Sequence, residues 1–220
     1  MSKSGIDPIQ LQISKRYIKS SGTRLRQGDI FSDVEFPIST RRLDDKGDEV
    51  VEETTIEFPY VLLMTQDCDL EQDYFNRIQG KKTQDKYLHS VLVCPAYLAE
   101  QFKKGDHLAE LEIKMESWNS DRYKVIADNQ NSRFHYLVMD QSMRIPNLVI
   151  DFKHYYTISR DDLYSMAKSK YLCTLNQLFR EHLSQRFSQY LSRVGLPDLC
   201  VNLLEEKEVK GSVDIKSLEA

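Results

Sequence analysis

The densest cluster of chemically capable side chains is Gln66-Asp67-Cys68-Asp69, which directly follows the apolar run from Tyr60 to Met64. Polar groups at the end of a strand are presented from a rigid support, and binding residues gather there. A nucleophilic Cys68 needs a neighbouring base and a lowered thiol pKa, whereas two flanking aspartates oppose the thiolate. A cysteine enzyme would pair Cys68 with His89 or His135. The alternative is a turn in which Asp67 and Asp69 bond backbone amides. Asp67, Cys68 and Asp69 are therefore candidate binding residues.

His89, His107, His135, His154 and His182 are scattered, with no paired metal-ligand spacing, so no metal site is expected. In Arg133-Phe134-His135-Tyr136-Leu137, strand alternation puts Arg133, His135 and Leu137 on one face. An Arg and a His on one face suit a phosphate. They suit an ordinary solvated sheet face equally, and that plainer reading is preferred. Lys15, Arg16, Lys19, Arg24 and Arg26 form a basic run ahead of the acidic stretch from Asp44 to Glu57. The run is a local nucleic-acid patch or a solvated polar segment.

The net charge of −4 gives no long-range attraction for polyanions. No Walker loop, Rossmann glycine motif or GxSxG elbow is present, so no cofactor is expected. Cys68, Cys94, Cys173 and Cys200 lie far apart without a CxxC pair, the usage of free thiols in a reducing compartment. No signal peptide or membrane-spanning run is evident, and a cytoplasmic protein is expected.

These residues need elements to hold them. Asp7-Pro8 opens a short helix that stops at Ser20-Ser21-Gly22. A strand follows Gln27-Gly28-Asp29 and ends near Phe36-Pro37, and the polar residues from Ser39 to Glu53, with Gly47 at their centre, read as a hairpin loop or a mobile connection. Tyr60 to Met64 is apolar without alternation, as a doubly buried central strand is. Glu71 to Lys86 reads as a surface excursion, and Leu88 to Cys94 as a strand closed by Pro95. A short helix then ends at Gly105. Tyr123–Ala127, Arg133–Val138 and Leu148–Phe152 read as three further strands. Ser159 with Asp162, and Thr174 with Gln177, have capping-box spacing. Leu178, Phe179, Leu183, Phe187, Tyr190 and Leu191 make an apolar helical stripe ended by Gly195 and Pro197.

The expected fold is thus α+β: a small antiparallel β-barrel or strongly bent sheet with peripheral helices and a C-terminal amphipathic helix. Residues 1–158 form the β-rich domain with its N-terminal helix. Residues 159–204 form a helical segment packed on it, and residues 205–220 a flexible tail.

Gly28-Asp29-Ile30, then Pro59-Tyr60-Val61-Leu62-Leu63, then His89-Ser90-Val91-Leu92-Val93-Cys94-Pro95 is an order similar to the opening half of the PemK and MazF barrel family, over residues 27 to 96. The resemblance implies a barrel of bacterial toxin-antitoxin or phage-defence systems, with Ser90 at the position of a catalytic Ser or Thr. The family's catalytic arginine precedes the strand proline, and here that position holds Phe58. Cleavage through the RNA 2′-hydroxyl needs a cation to stabilise charge on the phosphate. The favoured reading is therefore a non-catalytic or regulatory binding module with a protein partner and no membrane role, in which homodimerisation stays open. The alternative is an endoribonuclease using Ser90 and a displaced Arg24, Arg26 or Arg77, with RNA as its ligand.

Overall fold

A computed structural model describes residues 15–20, 23–80 and 82–193. All the elements lie in a first unit, residues 1–190, apart from the end of the last helix; of a second unit, 191–220, only residues 191–193 are described. The start of the expected opening helix at Asp7, the stop signals Gly195 and Pro197, Cys200 and the tail lie outside the described residues; where that helix was expected to end, Tyr17–Ile18 is instead a strand, paired with Thr174 and Leu175.

Eight antiparallel strands form one curled, half-barrel sheet, in keeping with the expected α+β class. They are β1 (Tyr17–Ile18), β2 (Asp29–Leu43), β3 (Glu49–Leu63), β4 (Ser90–Leu98), β5 (Phe134–Leu137), β6 (Leu148–Asp151), β7 (Tyr156–Ser159) and β8 (Tyr171–Leu175). The order is β1-β8-β2-β3-β4-β6-β5, with β7 on β4 beside β6. The helices are α1 (Asp67–Ile78), α2 (Ala99–Lys104), α3 (Ser120–Ala127), α4 (Arg160–Lys170) and α5 (Gln177–Leu191).

Both faces of the central sheet are covered, which is why the run from Tyr60 to Met64 does not alternate. Val61 and Leu63 enter one core with Val91, Val93 and Val149, closed by Leu70 of α1, Phe102 of α2, Ile126 of α3 and Leu163 of α4. Leu62 and Met64 point the opposite way with Cys94, Ala96 and Ile150, where Leu183 and Phe187 of α5 cover them. Val61, Leu62 and Leu63 are all fully buried.

Several expectations need correction. Of the two readings of Ser39 to Glu53 the hairpin holds, but most of the stretch is paired strand rather than loop, because β2 and β3 stay in one register from Ile30↔Leu62 to Leu43↔Glu49. Its turn is built by Asp44, whose carboxylate accepts from the amides of Lys46 and Asp48 (both 2.9 Å), and by Gly47 at φ +85°. The first half of Glu71 to Lys86, up to Ile78, is helix α1. Tyr123–Ala127 is helix α3, capped by the Asn119 side chain on the amide of Arg122; only Ile126 within it is buried. Pro95 does not close β4, which runs on to Leu98.

The segment expected to be helical after residue 158 contributes a strand, β8, that pairs with β1 and β2. Thr174 is therefore a buried strand residue, and Asn176 supplies the oxygen that accepts from the Gln177 amide at the start of α5. Ser159 does cap α4. The α5 stripe is narrower than its sequence suggests: Leu183 and Phe187 are buried, while Leu178 and Leu191 are exposed.

Leu62 tests the doubly covered sheet. Leu62→Ala is expected to lower unfolding free energy by about 2 to 5 kcal/mol in urea titration. Leu62→Asp, which buries an unpaired carboxylate, is expected to abolish soluble expression.

Candidate functional site

The Gly28-Asp29 and Gln66-Asp69 motifs meet at one end of the sheet. Gly28 donates to the carbonyl of Leu63 at 2.8 Å and accepts from the amide of Leu175 at 2.9 Å. It sits at φ +81°, and a Cβ there would stand 3.1 Å from that of Leu175. Asp29 accepts from the Thr174 hydroxyl (2.5 Å) and the Arg26 amide (2.7 Å). Burial pushes its carboxyl up to about 6, partly offset by those two bonds. The motif is an anchor joining β2, β3 and β8.

The tetrad is the start of α1, not a free turn. Asp67 accepts from Arg24 through both oxygens (3.3 and 3.2 Å) and from the Gln27 amide (3.2 Å), and lies 3.6 Å from the guanidinium of Arg180 in α5. A carboxylate in the first turn also meets the positive end of the helix dipole. Asp67 therefore ties three segments together. Cys68 is exposed, and its thiol faces only acceptors, Gln66 Oε1 at 3.6 Å and Asp69 Oδ1 at 3.7 Å. Burial raises the other two described cysteines, Cys173 to about 12 and Cys94 further.

Of the candidate residues, Arg24, Arg26 and Asp67 are brought together. Arg133 and His135 belong elsewhere and to each other only in sequence. Arg133 makes a two-pronged pair with the buried Asp151 (2.8 and 2.5 Å). His135 is not on a solvated face: it is 3% exposed, against Phe152 and His182. Its imidazole is held down to about 3, first by burial and then by the nearby Arg186, His182 and Arg16.

Ser90 is exposed at the start of β4, paired with Ser159. The β3–β4 register, Tyr60↔Ala96, extends to put Phe58 opposite Leu98. Ser90 is then eight residues away along the strand, roughly 25 Å. Phe58 is buried among Phe36, Tyr97 and Tyr156. The same register brings Ser90 to the end of the sheet that carries Gln66. Arg77, like Arg24, is already paired, with Asp73 at 2.7 Å and the Leu88 carbonyl at 2.8 Å.

The β2–β3 arm is engaged chiefly with itself, through pairs such as Arg41–Glu49 and Arg42–Glu52. β2 pairs with β8 only through Asp29–Phe31, and β3 with β4 only through Tyr60–Leu63. Beyond those residues the hairpin is a two-stranded ribbon whose outer edges carry no described strand. Its exposed part extends about 20 Å, and Leu43, Val50 and Val51 are exposed on it. Residues 39–54 carry six carboxylates against three cationic side chains. Sequence reasoning took this stretch as a loop because charge and Gly47 dominate it; the signal that could have found the arm is the β-branched alternation in Val50-Val51 and Thr54-Thr55-Ile56.

No helix among the described residues is long and apolar enough to cross a membrane. No group of His, Cys, Asp and Glu among them could hold a metal ion. No family model matches this chain, and no curated protein matches it.

His135 sets a pH dependence. Its folded pKa lies below the unfolded value of about 6.5, so the unfolded chain takes up the proton first. The stability tied to the neutral ring is present above pH 6.5 and lost as pH falls toward 3. Between pH 7 and pH 5 the wild type is expected to lose about 2 kcal/mol more than His135→Leu, measured by urea unfolding at each pH.

Proposed function

We propose that this chain is a binding module that works through protein contacts, and that the β2–β3 arm is its contact element. The carrying observation is a two-stranded ribbon that is exposed on both faces from residue 39 to residue 55 and whose edges carry no described strand. An isolated ribbon adds little stability to a fold, and open strand edges are what a partner strand pairs with. The acidic excess selects a basic partner and discourages polyanions. The resemblance to PemK and MazF barrels suggests a bacterial toxin-antitoxin or phage-defence setting and a regulatory role within it.

Ribonuclease chemistry is the competing reading. Ser90 lies at the same end of the sheet as Arg24, so that pair is the one to test. Arg24 would have to leave Asp67 to stabilise charge on a phosphate, and lacking such a donor costs on the order of a hundredfold or more in rate.

Two measurements decide between the readings. Purified protein is expected to leave mixed-sequence single-stranded RNA intact; cleavage that disappears in both Ser90→Ala and Arg24→Ala would establish the nuclease instead. Replacing residues 41–51 by a two-residue Asn-Gly turn is expected to leave the thermal midpoint within a few degrees. The same change should eliminate whatever partner the intact chain retains from its native host. A partner retained equally by the trimmed chain would place the contact elsewhere.

A further inference from the structure

Where the arm leaves the sheet there is a hollow of about 460 Å³. The pairing of the hairpin lapses at this point. Asp33 has φ +54°, unusual for a residue with a side chain, and stands across the ladder from Pro59, which has no amide to donate. The floor is apolar, with Ile56, Phe58, Leu98 and Leu108. The rim is acidic: Asp33, Glu57, Asp106 and Glu110 line it, with no lysine or arginine.

A metal ion is the wrong occupant, because these carboxylates do not gather into a group able to hold one. The hollow suits a longer cation with an aliphatic stem, since lysine and arginine lay their methylenes on apolar surface and keep the charged head among polar groups. His107 adds a second demand. Both of its ring nitrogens are buried without a hydrogen-bond partner among the described residues. Its ring packs against Tyr97 (4.7 Å) and Phe102 (4.8 Å). Burial and the neighbouring His154 hold it neutral, down to about 4, so one nitrogen is an acceptor and the other a donor. An incoming ammonium or guanidinium supplies a donor for the acceptor nitrogen.

Position fixes how such a side chain arrives. Thr55, Ile56, Glu57, Phe58 and Pro59 of β3 line the hollow; they lie beyond Tyr60, the last β3 residue paired with β4, and from Glu57 outward the edge of β3 has no β4 residue opposite it. We propose that a basic, extended segment of a partner protein adds as a strand along this outer edge of β3 and inserts a lysine or arginine side chain into the hollow. Strand addition supplies main-chain affinity, and a pocket for alternate side chains supplies specificity. The proposal rests on the reading of the arm as a contact element and names the chemistry of its partner.

The probe is a fluorescently labelled decapeptide of alternating lysine and valine, measured by anisotropy at 100 mM salt, with a glutamate–valine decapeptide as control. The lysine peptide is expected to bind and the glutamate peptide not. Glu57→Gln with Glu110→Gln is expected to weaken binding at least tenfold at an unchanged thermal midpoint, and His107→Phe at least threefold. Glu71→Gln with Glu181→Gln, which removes the same charge from exposed helix positions, is expected to change it less than twofold. Equal weakening by both double variants would reduce the effect to net charge and overturn the hollow. Failure of the wild type to bind the lysine peptide would overturn it too. The arm reading falls separately, by retention of the native partner on the chain trimmed at residues 41–51.

Discussion

The constraint on which the rest depends is that the central strands are buried on both faces. A strand covered on one side can alternate apolar and polar residues; β3 near Val61-Leu62-Leu63 and β4 near Val93-Cys94 cannot, because α1 to α4 close one face and α5 the other. Covering two faces consumes most of the apolar side chains. It also explains why polar groups at the sheet's end are tied down so completely. Asp67 serves Arg24, Gln27 and Arg180 together, and Asp73 holds Arg77 and Arg160 (2.7 and 2.8 Å). A carboxylate as buried as Asp73 is stable only with such company, and its arginines hold it below the usual carboxylate range against the opposing effect of burial.

The arm is what remains of the sheet once that covering ends. β2 and β3 are each 15 residues long, yet only their first or last few residues find partners other than each other. Register is uniform along the hairpin, and the one position where pairing lapses is Asp33 opposite Pro59. The acid-rimmed hollow opens there, between β3 and the residues of α2 and the segment after it.

Legibility from sequence follows the same division. Tyr60 to Met64, the short helix ending at Gly105, the α4 cap and the core face of α5 were readable because burial leaves a local signature in residue type and period. β8 was not, since Tyr171-Leu172-Cys173-Thr174-Leu175 sits between two helices and gains its strand state from long-range pairing with Asp29–Phe31. Tyr123 to Ala127 looked β-branched, but an Asn119 cap and one buried isoleucine settle a surface helix. Arg133 and His135 share a face by alternation, and His135 does lie with Leu137 on the α5 side. What alternation cannot reveal is that this face is covered. Asp67 was legible as important, whereas its role as a tie needed Arg24 and Arg180, which are 43 residues before it and over a hundred after.

An exposed ribbon with two open edges is a hazard for any soluble chain, and the charges on this one fit the proposed use better than a merely protective role. Protection alone is served by either sign, usually by lysine. Here six carboxylates outnumber three cations, and Arg41 and Arg42 are drawn into pairs with Glu49 and Glu52 across the ladder (both 3.3 Å). Edge-to-edge pairing of two such arms would set acidic ribbon against acidic ribbon, whereas a basic strand would meet charge of opposite sign along the ribbon and at the Glu57 rim. Exposed pairs contribute little to stability, about 1 kcal/mol or less each, so the pattern acts chiefly on which strand is allowed to add. Discrimination of that kind is cheap in folding energy, because the ribbon carries it outside the doubly covered sheet.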